Sequence, residues 1–276
     1  DDAIGFLPLG GYELLNQSDL SALDEMNRVN ELVADFLPDY IQLSHDVSKI
    51  GLRERKQTAL VSFESEGQLD TGLLMKSLEA YVLQLGVKIR TGAAIDRFEK
   101  AENGWRVRLE DSARGMLEMQ ANQLVVCTNA FARDLIPDLK LAPGRGQVMI
   151  TEPIDGLKFR GNLHIDEGYY YLRNFGNRIL FGGGRNLDFE REETNQIELN
   201  ESIQSRLDSL LMELFDFNKT PKVDHRWSGI MAFGEYKTPI IQRTSEGLYI
   251  AVKMGGMGIA LAGQVGEMLA DLMSQE

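Results

Sequence analysis

The 276-residue sequence has one cysteine, Cys127, and three histidines, His45, His164 and His225, far apart along the chain. A single cysteine excludes an internal disulfide and suits a reducing compartment, so a cytoplasmic location is expected. One thiol and three separated imidazoles offer no ligand set for zinc. Cys127 closes the apolar run Leu124–Cys127 and is expected to be a buried structural thiol, not a nucleophile. Each histidine is expected to be a core or surface residue. Basic blocks are also scarce. The net charge is −13, and the short cluster Arg53-Glu-Arg55-Lys56 contains an acid. That balance argues against nucleic acid or an anionic membrane as partner. No apolar run approaches the roughly 20 residues of a membrane-spanning helix. No signal peptide, internal repeat or low-complexity tract is visible.

With 43% apolar and 26% charged residues the chain can build a core, and its length suits one large or two interleaved domains. Phe6–Leu15 reads as strand, turn at Gly10-Gly11, strand. Ser21 to Asp24 resembles a capping box, followed by a helical face of Met26, Val29, Leu32, Val33 and Phe36 that Pro38 ends. Residues 59–63 form a short strand. Asp70 is placed to cap a helix over 71–85, with Leu74, Leu78, Tyr81 and Leu85 on one stripe, and Val87–Arg90 reads as the strand after it. An antiparallel meander follows: 95–99, a turn at Asn103-Gly104, alternating Trp105, Val107 and Leu109, then 116–120. From Gly146 onward, 147–151, 169–173, 178–182 and 223–229 alternate like strands of a large antiparallel sheet. Ile203, Leu207, Leu210, Leu211 and Leu214 draw one helical core stripe between them. A sheet covered by helices on one face leaves the other for a ligand.

The most informative stretch closes the chain. The apolar strand 247–252 runs through Lys253-Met254-Gly255-Gly256-Met257-Gly258 into a small-residue helix. A strand, glycine turn and helix can hold an anion or an electron-rich ring, because glycines let the backbone approach and the helix start offers free N–H groups. The same pattern also suits a tight turn that packs a Gly/Ala helix on a sheet.

Four blocks give a resemblance. They are Gly67-Gln-Leu-Asp70-Thr-Gly72 with the helix leading to Gly86 and Gly92; Gln123-Leu-Val-Val-Cys127-Thr-Asn129-Ala-Phe131; Arg145-Gly146-Gln147 leading to Gly168-Tyr-Tyr-Tyr171-Leu-Arg173; and Trp227-Ser-Gly229 through the closing turn. In this order and spacing the chain resembles the D-amino-acid-oxidase-like family of FAD-dependent oxidoreductases, which includes glycine and sarcosine oxidases. The resemblance covers roughly residues 65–276. It implies a mixed α/β fold: a doubly wound FAD-binding domain over 65–140 and 245–276, interleaved with an antiparallel-sheet substrate or lid domain over 1–64 and 141–244. The family opens with a strand, a G-x-G-x-x-G turn and a helix that take the FAD pyrophosphate. This sequence has no such element: Gly144-x-Gly146 continues to Met149, and Gly256-x-Gly258 to Leu261. The expectation is therefore an incomplete FAD-binding domain lacking its first βαβ unit, in a fragment of a longer flavoenzyme. Such a fragment, taken by itself, is expected to be inactive. A non-catalytic remnant or interaction module that binds no flavin is the alternative.

The resemblance also assigns sites. Met254, Gly255, Gly256, Met257 and Gly258 line the flavin ring and its ribityl side, with the helix start aimed at the ring's C2 carbonyl. Ala94 and Ile95 map to the backbone that touches adenine. Thr128 and Asn129 stand where the family has an Ala-Gly pair near the pyrophosphate; Asn tolerates the left-handed backbone, so the turn survives with less room, or it is a plain strand-end turn. Lys253 replaces a residue that is commonly Gly. It is either a catalytic residue favouring an anionic reduced ring or a peroxide, or its side chain points to solvent or is displaced in the fragment. Tyr169, Tyr171 and Arg173 share one face by alternation, suited to a substrate carboxylate or to cross-strand packing with a surface arginine. Met231 or its neighbour falls where glycine- and D-amino-acid-oxidase relatives place a carboxylate-clamping Arg, so another cation (Arg173, Arg185 or Arg226) substitutes, or the substrate is not a simple α-amino acid. Asp70 reads as a helix cap and Arg145 as a turn residue, neither of them catalytic. The implied partner is a small amine or amino acid; the sequence does not set the oligomeric state.

Overall fold

The computed structural model describes residues 2–15, 22–44, 46–54 and 59–275, with Asp2 and residues 22–24 described by backbone only. Ser21 of the expected capping box, His45, Arg55 and Lys56 lie outside the described residues. The elements are, in order, β1 (Gly11–Leu15), α1 (Ala22–Val33), β2 (Ile41–Ser44), β3 (Ala59–Phe63), α2 (Thr71–Gln84), β4 (Ala93–Ala101), β5 (Gly104–Asp111), β6 (Gly115–Ala121), β7 (Leu124–Val126) and α3 (Ala132–Leu135). There follow β8 (Ala142–Thr151), β9 (Asn162–Ile165), β10 (Tyr170–Phe175), β11 (Arg178–Gly183), α4 (Phe189–Glu192), α5 (Glu201–Leu214), β12 (Val223–Phe233), β13 (Ile240–Arg243), β14 (Leu248–Val252) and α6 (Gly258–Ser274). They divide into two compact units, Asp1–Val87 with Gly146–Phe189 and Glu198–Ser228, and Lys88–Arg145 with Glu190–Ile197 and Gly229–Glu276.

The large sheet has the order β12-β8-β11-β10-β9-β1-β3-β2. β1 and β9 pair in parallel, while β8–β11, β11–β10, β10–β9, β1–β3 and β3–β2 are antiparallel. The pleat sorts its residues: Tyr170, Leu172 and Asn174 of β10 are buried on one face, with Tyr171 and Arg173 on the other. On the buried face Phe159, Leu163, Ile179 and Phe181 pack with Ile203, Leu207, Leu210, Leu211 and Leu214 of α5, the stripe read from the sequence. Asn200 starts that helix by accepting a hydrogen bond from the Ser202 N–H at 3.1 Å.

The second unit contains the meander β4-β5-β6 and a smaller sheet, β13-β14-β7, in which β14 and β7 are parallel. Trp105 of β5 joins Val126, Leu248, Ile250 and Val252 in its core. β7 is an edge strand: no described strand lies on its far side.

Several expectations are corrected. Residues 87–90 form no strand, because no described strand offers them a ladder partner. Asp70 does cap α2, accepting from the Leu73 N–H at 3.0 Å, yet the stripe behind it buries nothing: Leu78, Tyr81 and Leu85 are all exposed. α2 falls in the first unit, where it packs on the 3-10 turn Asp2–Ile4, and residues 229–244 fall in the second. Only Gly11–Leu15 of the expected 6–15 hairpin is strand; Leu7 instead bridges Gln68. α1 ends at Val33, and Leu32 and Phe36 are exposed. Arg145 is not a turn residue but a buried position of β8, held by Glu192 at 2.7 and 2.9 Å.

Candidate functional site

All five residues of β14 are buried, so the strand is a rigid base. Beyond it the backbone turns left-handed three times, at Lys253 (φ 68°), Gly255 (φ 58°) and Gly256 (φ 84°). The two glycines adopt this without a Cβ penalty; Lys253 does not. The turn is tied to the end of β12, with the Gly255 N–H donating to the Ala232 carbonyl at 3.1 Å. A Cβ on Gly256 would lie 3.4 Å from the Met231 sulfur, so that glycine is also a place of close packing. α6 then begins with Met257 at its cap, without a side-chain capping bond and without an acid in its first turn. Its amide end carries the positive partial charge of a helix start. Met257 and Ile259 are exposed beside it.

Asn129, just past β7, is left-handed at φ 49°, the backbone expected for it. Its Oδ1 accepts from the backbone N–H of Lys253 at 3.0 Å and of Met254 at 3.3 Å. Thr128 precedes it at the cap of a short 3-10 turn, with no side-chain bond. Lys253 is only 6% exposed, and its Nζ donates to the Tyr236 carbonyl at 2.8 Å. This corrects the solvent-pointing alternative: the stem lies over Gly234, where a Cβ would meet Lys253 Cδ at 2.9 Å. Ala94 and Ile95 are exposed on β4, next to a register shift between Ile95 and Arg97, and form no part of the turn. Cys127 is exposed, correcting the expected buried thiol; it follows an edge strand that no described strand covers.

In the first unit, Tyr171 and Arg173 do share a face of β10. Tyr169 does not continue it. It stands in the turn before the strand, its ring edge-on to Phe189 at 5.9 Å. The Tyr171 ring lies on Gly182, where a Cβ would come within 2.7 Å of it, and burial pushes its hydroxyl pKa up. Arg173 donates to the Leu69 carbonyl at 2.6 Å; burial pulls its pKa down, partly opposed by the nearby Asp70 charge. Of the other cations considered, Arg226 is engaged by Asp208 at 2.7 and 2.8 Å and Arg185 lies over the Phe189 ring at 4.8 Å. An open cleft of about 450 Å³ beside Ala130, Arg133, Pro143 and Asn195 includes none of the turn residues. No cluster of metal-ligating side chains occurs among the described residues.

A strand, a left-handed glycine turn and an uncapped helix start thus stand together in one unit. The family model described as FAD dependent oxidoreductase matches residues 3–272. The chain belongs to that family. As a member of the FAD-dependent oxidoreductases it resembles solved structures over nearly its whole length: L-proline dehydrogenase from P. horikoshii (TM-score 0.81, 20% identity, 99% of this chain and 74% of that one) and glycine oxidase from Geobacillus kaustophilus (TM-score 0.81, 18% identity, 99% and 72%). L-amino acid deaminase from Proteus vulgaris is similar at TM-score 0.77 and 20% identity, over 100% of this chain and 70% of that one. These likenesses establish the mixed α/β fold. Among curated proteins it matches the tRNA 5-methylaminomethyl-2-thiouridine biosynthesis bifunctional protein MnmC of Nitrosospira multiformis, 24% identical over 194 residues and 67% of this chain. The chain spans 31% of that relative's length. No described helix is long and apolar enough to cross a membrane.

Sequence reasoning missed Tyr236 and Gly234 as the seat of Lys253. It also missed the contact between Asn129 and Lys253, although both positions had been marked as departures from small residues. The separation of 124 residues hides that contact; the parallel pairing of β7 with β14 creates it.

Proposed function

We propose that this chain is part of a flavoenzyme that oxidises a C–N bond of an amino acid or related amine. The carrying observation is the turn from Lys253 to Gly258 with the uncapped start of α6. In this reading Met254, Gly255, Gly256, Met257 and Gly258 hold the ring of FAD, Thr128 and Asn129 lie toward its pyrophosphate, and Ala94 and Ile95 toward adenine. Bound FAD supplies the two-electron acceptor. The amide end of α6 stabilises negative charge in front of it, as preorganised dipoles do wherever charge develops. Lys253 adds a buried ammonium next to the same turn. In the same reading Tyr169, Tyr171 and Arg173 are the substrate-binding residues. The chain needs no side-chain acid–base pair for this role, since orientation and exclusion of water are its share of the work. Relatives named for proline, glycine and amino acids support an amine or amino acid as substrate, and the single cysteine supports a cytoplasmic setting.

We infer also that the nucleotide half of the cofactor is held by a segment outside these residues. The edge of β7, the irregular 87–90 segment and the uncovered stripe of α2 support this. By itself, then, the 276-residue chain binds FAD weakly or not at all. The test is the visible absorption spectrum of purified protein carrying the adjoining coding region, followed by an amine panel with dye reduction as readout. A flavin band, and bleaching by an amino acid or amine, are the expected results. A protein that is colourless and cannot be reconstituted with FAD overturns the reading and leaves a binding or structural module.

A further inference from the structure

Two residues of the second unit hold a backbone conformation that favours glycine, and they touch. β7 and β14 run parallel with Val126 opposite Ile250, and continuing that register sets Asn129 level with Lys253. Asn129 has φ 49° and Lys253 has φ 68°. Left-handed non-glycine residues persist only where their surroundings hold them. Here the holding groups are visible. Asn129 Oδ1 takes the N–H groups of Lys253 and Met254, at 3.0 and 3.3 Å. Lys253 as a residue is 6% exposed; its ammonium is anchored on the Tyr236 carbonyl at 2.8 Å, and its stem is admitted by Gly234.

We propose that Asn129 and Lys253 form an interlock that holds the Met254–Met257 turn in its shape without any ligand and fixes one positive charge beside it. Three stretches of chain, after β7, after β12 and after β14, meet in this interlock. The N–H groups of Lys253 and Met254 are already taken by Asn129, so they are not offered to a cofactor. Asn129 and Lys253 are positioning residues in this scheme. A preset turn spares the ordering cost that a flexible glycine loop has to meet on binding. Among the described residues no carboxylate lies within ion-pair distance of the ammonium, whose hydrogen-bond partner is the Tyr236 carbonyl. Only the redox consequence rests on the flavin reading: a fixed cation beside the turn raises the reduction potential of a ring held there.

The test starts with amide hydrogen exchange on the 276-residue protein without FAD. The Lys253 and Met254 amides are expected to be protected, to stay protected in Asn129→Asp, which keeps an acceptor oxygen, and to exchange at least about tenfold faster in Asn129→Gly, which keeps the backbone freedom and loses the acceptor. Unprotected amides in the unmodified protein, or equal protection in Asn129→Gly, overturn the interlock even if a variant folds poorly, since the unmodified protein alone decides the first point. In the flavin-loaded longer protein, Lys253→Met is expected to lower the flavin reduction potential, and an unchanged potential refutes the charge role. Protection together with failure to bind FAD would retain the interlock and reject the flavin reading, so the two fail separately.

Discussion

Tyr249 is fully buried in β14, and its hydroxyl has no hydrogen-bond partner among the described residues. A buried unpaired hydroxyl costs free energy on folding, whereas the ring around it contributes packing. Tyr249→Phe removes the oxygen and leaves the ring, which lies 5.8 Å from the Arg243 guanidinium. The expected outcome is an unchanged or higher urea midpoint, a gain of up to about 1–2 kcal/mol. A loss of more than about 1 kcal/mol would mean that the hydroxyl is paired after all. At this scale the sequence is legible where a residue's role depends on its neighbours in the chain. Asp70 was readable as a cap because the N–H it binds belongs to Leu73. Lys253 was readable only as an oddity, because Tyr236 and Asn129, which determine its geometry, come to it through tertiary structure.

Among the elements, the meander shows how one side chain can fasten a segment that has no ladder of its own. Residues 87–91 are irregular, and Arg90 secures them by donating from Nε to the Asp111 carboxylate at 3.0 Å, at the end of β5. The Arg90 hydrogen bond leads the causes that hold the Asp111 pKa below its ordinary value, with the Ala113 and Arg114 N–H groups assisting. The sign follows from linkage: a carboxyl depressed in the folded state stabilises above its unfolded pKa, near 3.9, and loses that contribution as pH falls through it toward the folded value. The stability gap between the native protein and Asp111→Asn is therefore expected to be constant above about pH 5 and to shrink as the pH falls below about 4. Thermal denaturation across that range measures it; a gap that does not change with pH would remove the ion pair from the account. The β5 alternation and the α5 stripe were legible because period and burial agree within one segment. β2, β9 and β13, four residues each, carry too little pattern to stand out, and 87–90 carries a strand pattern without a strand to pair with.

For the whole molecule, the surface it exposes matters most. α6 is apolar along much of its length, yet Val265 alone is buried among its described residues, and Ile259 and Met268 are 54% and 49% exposed. α2 buries no side chain, and no described strand pairs with the outer edge of β7. Exposed apolar helices and an open strand edge mark surfaces that associate, either with their own missing neighbour or with other copies. Met268→Lys separates the cases, since the residue lies well beyond the turn and is exposed. In the 276-residue chain the substitution places a charge on an exposed position, so stability should stay within about 0.5 kcal/mol while binding of a hydrophobic dye and self-association fall. In a longer protein whose added segment covers α6, the same charge would be buried without a partner, at a cost of several kcal/mol, and the flavin would be released at lower denaturant concentration. Equal, small effects in both proteins would show that the helix face stays uncovered, and the inference that a further segment completes this unit would fall with it.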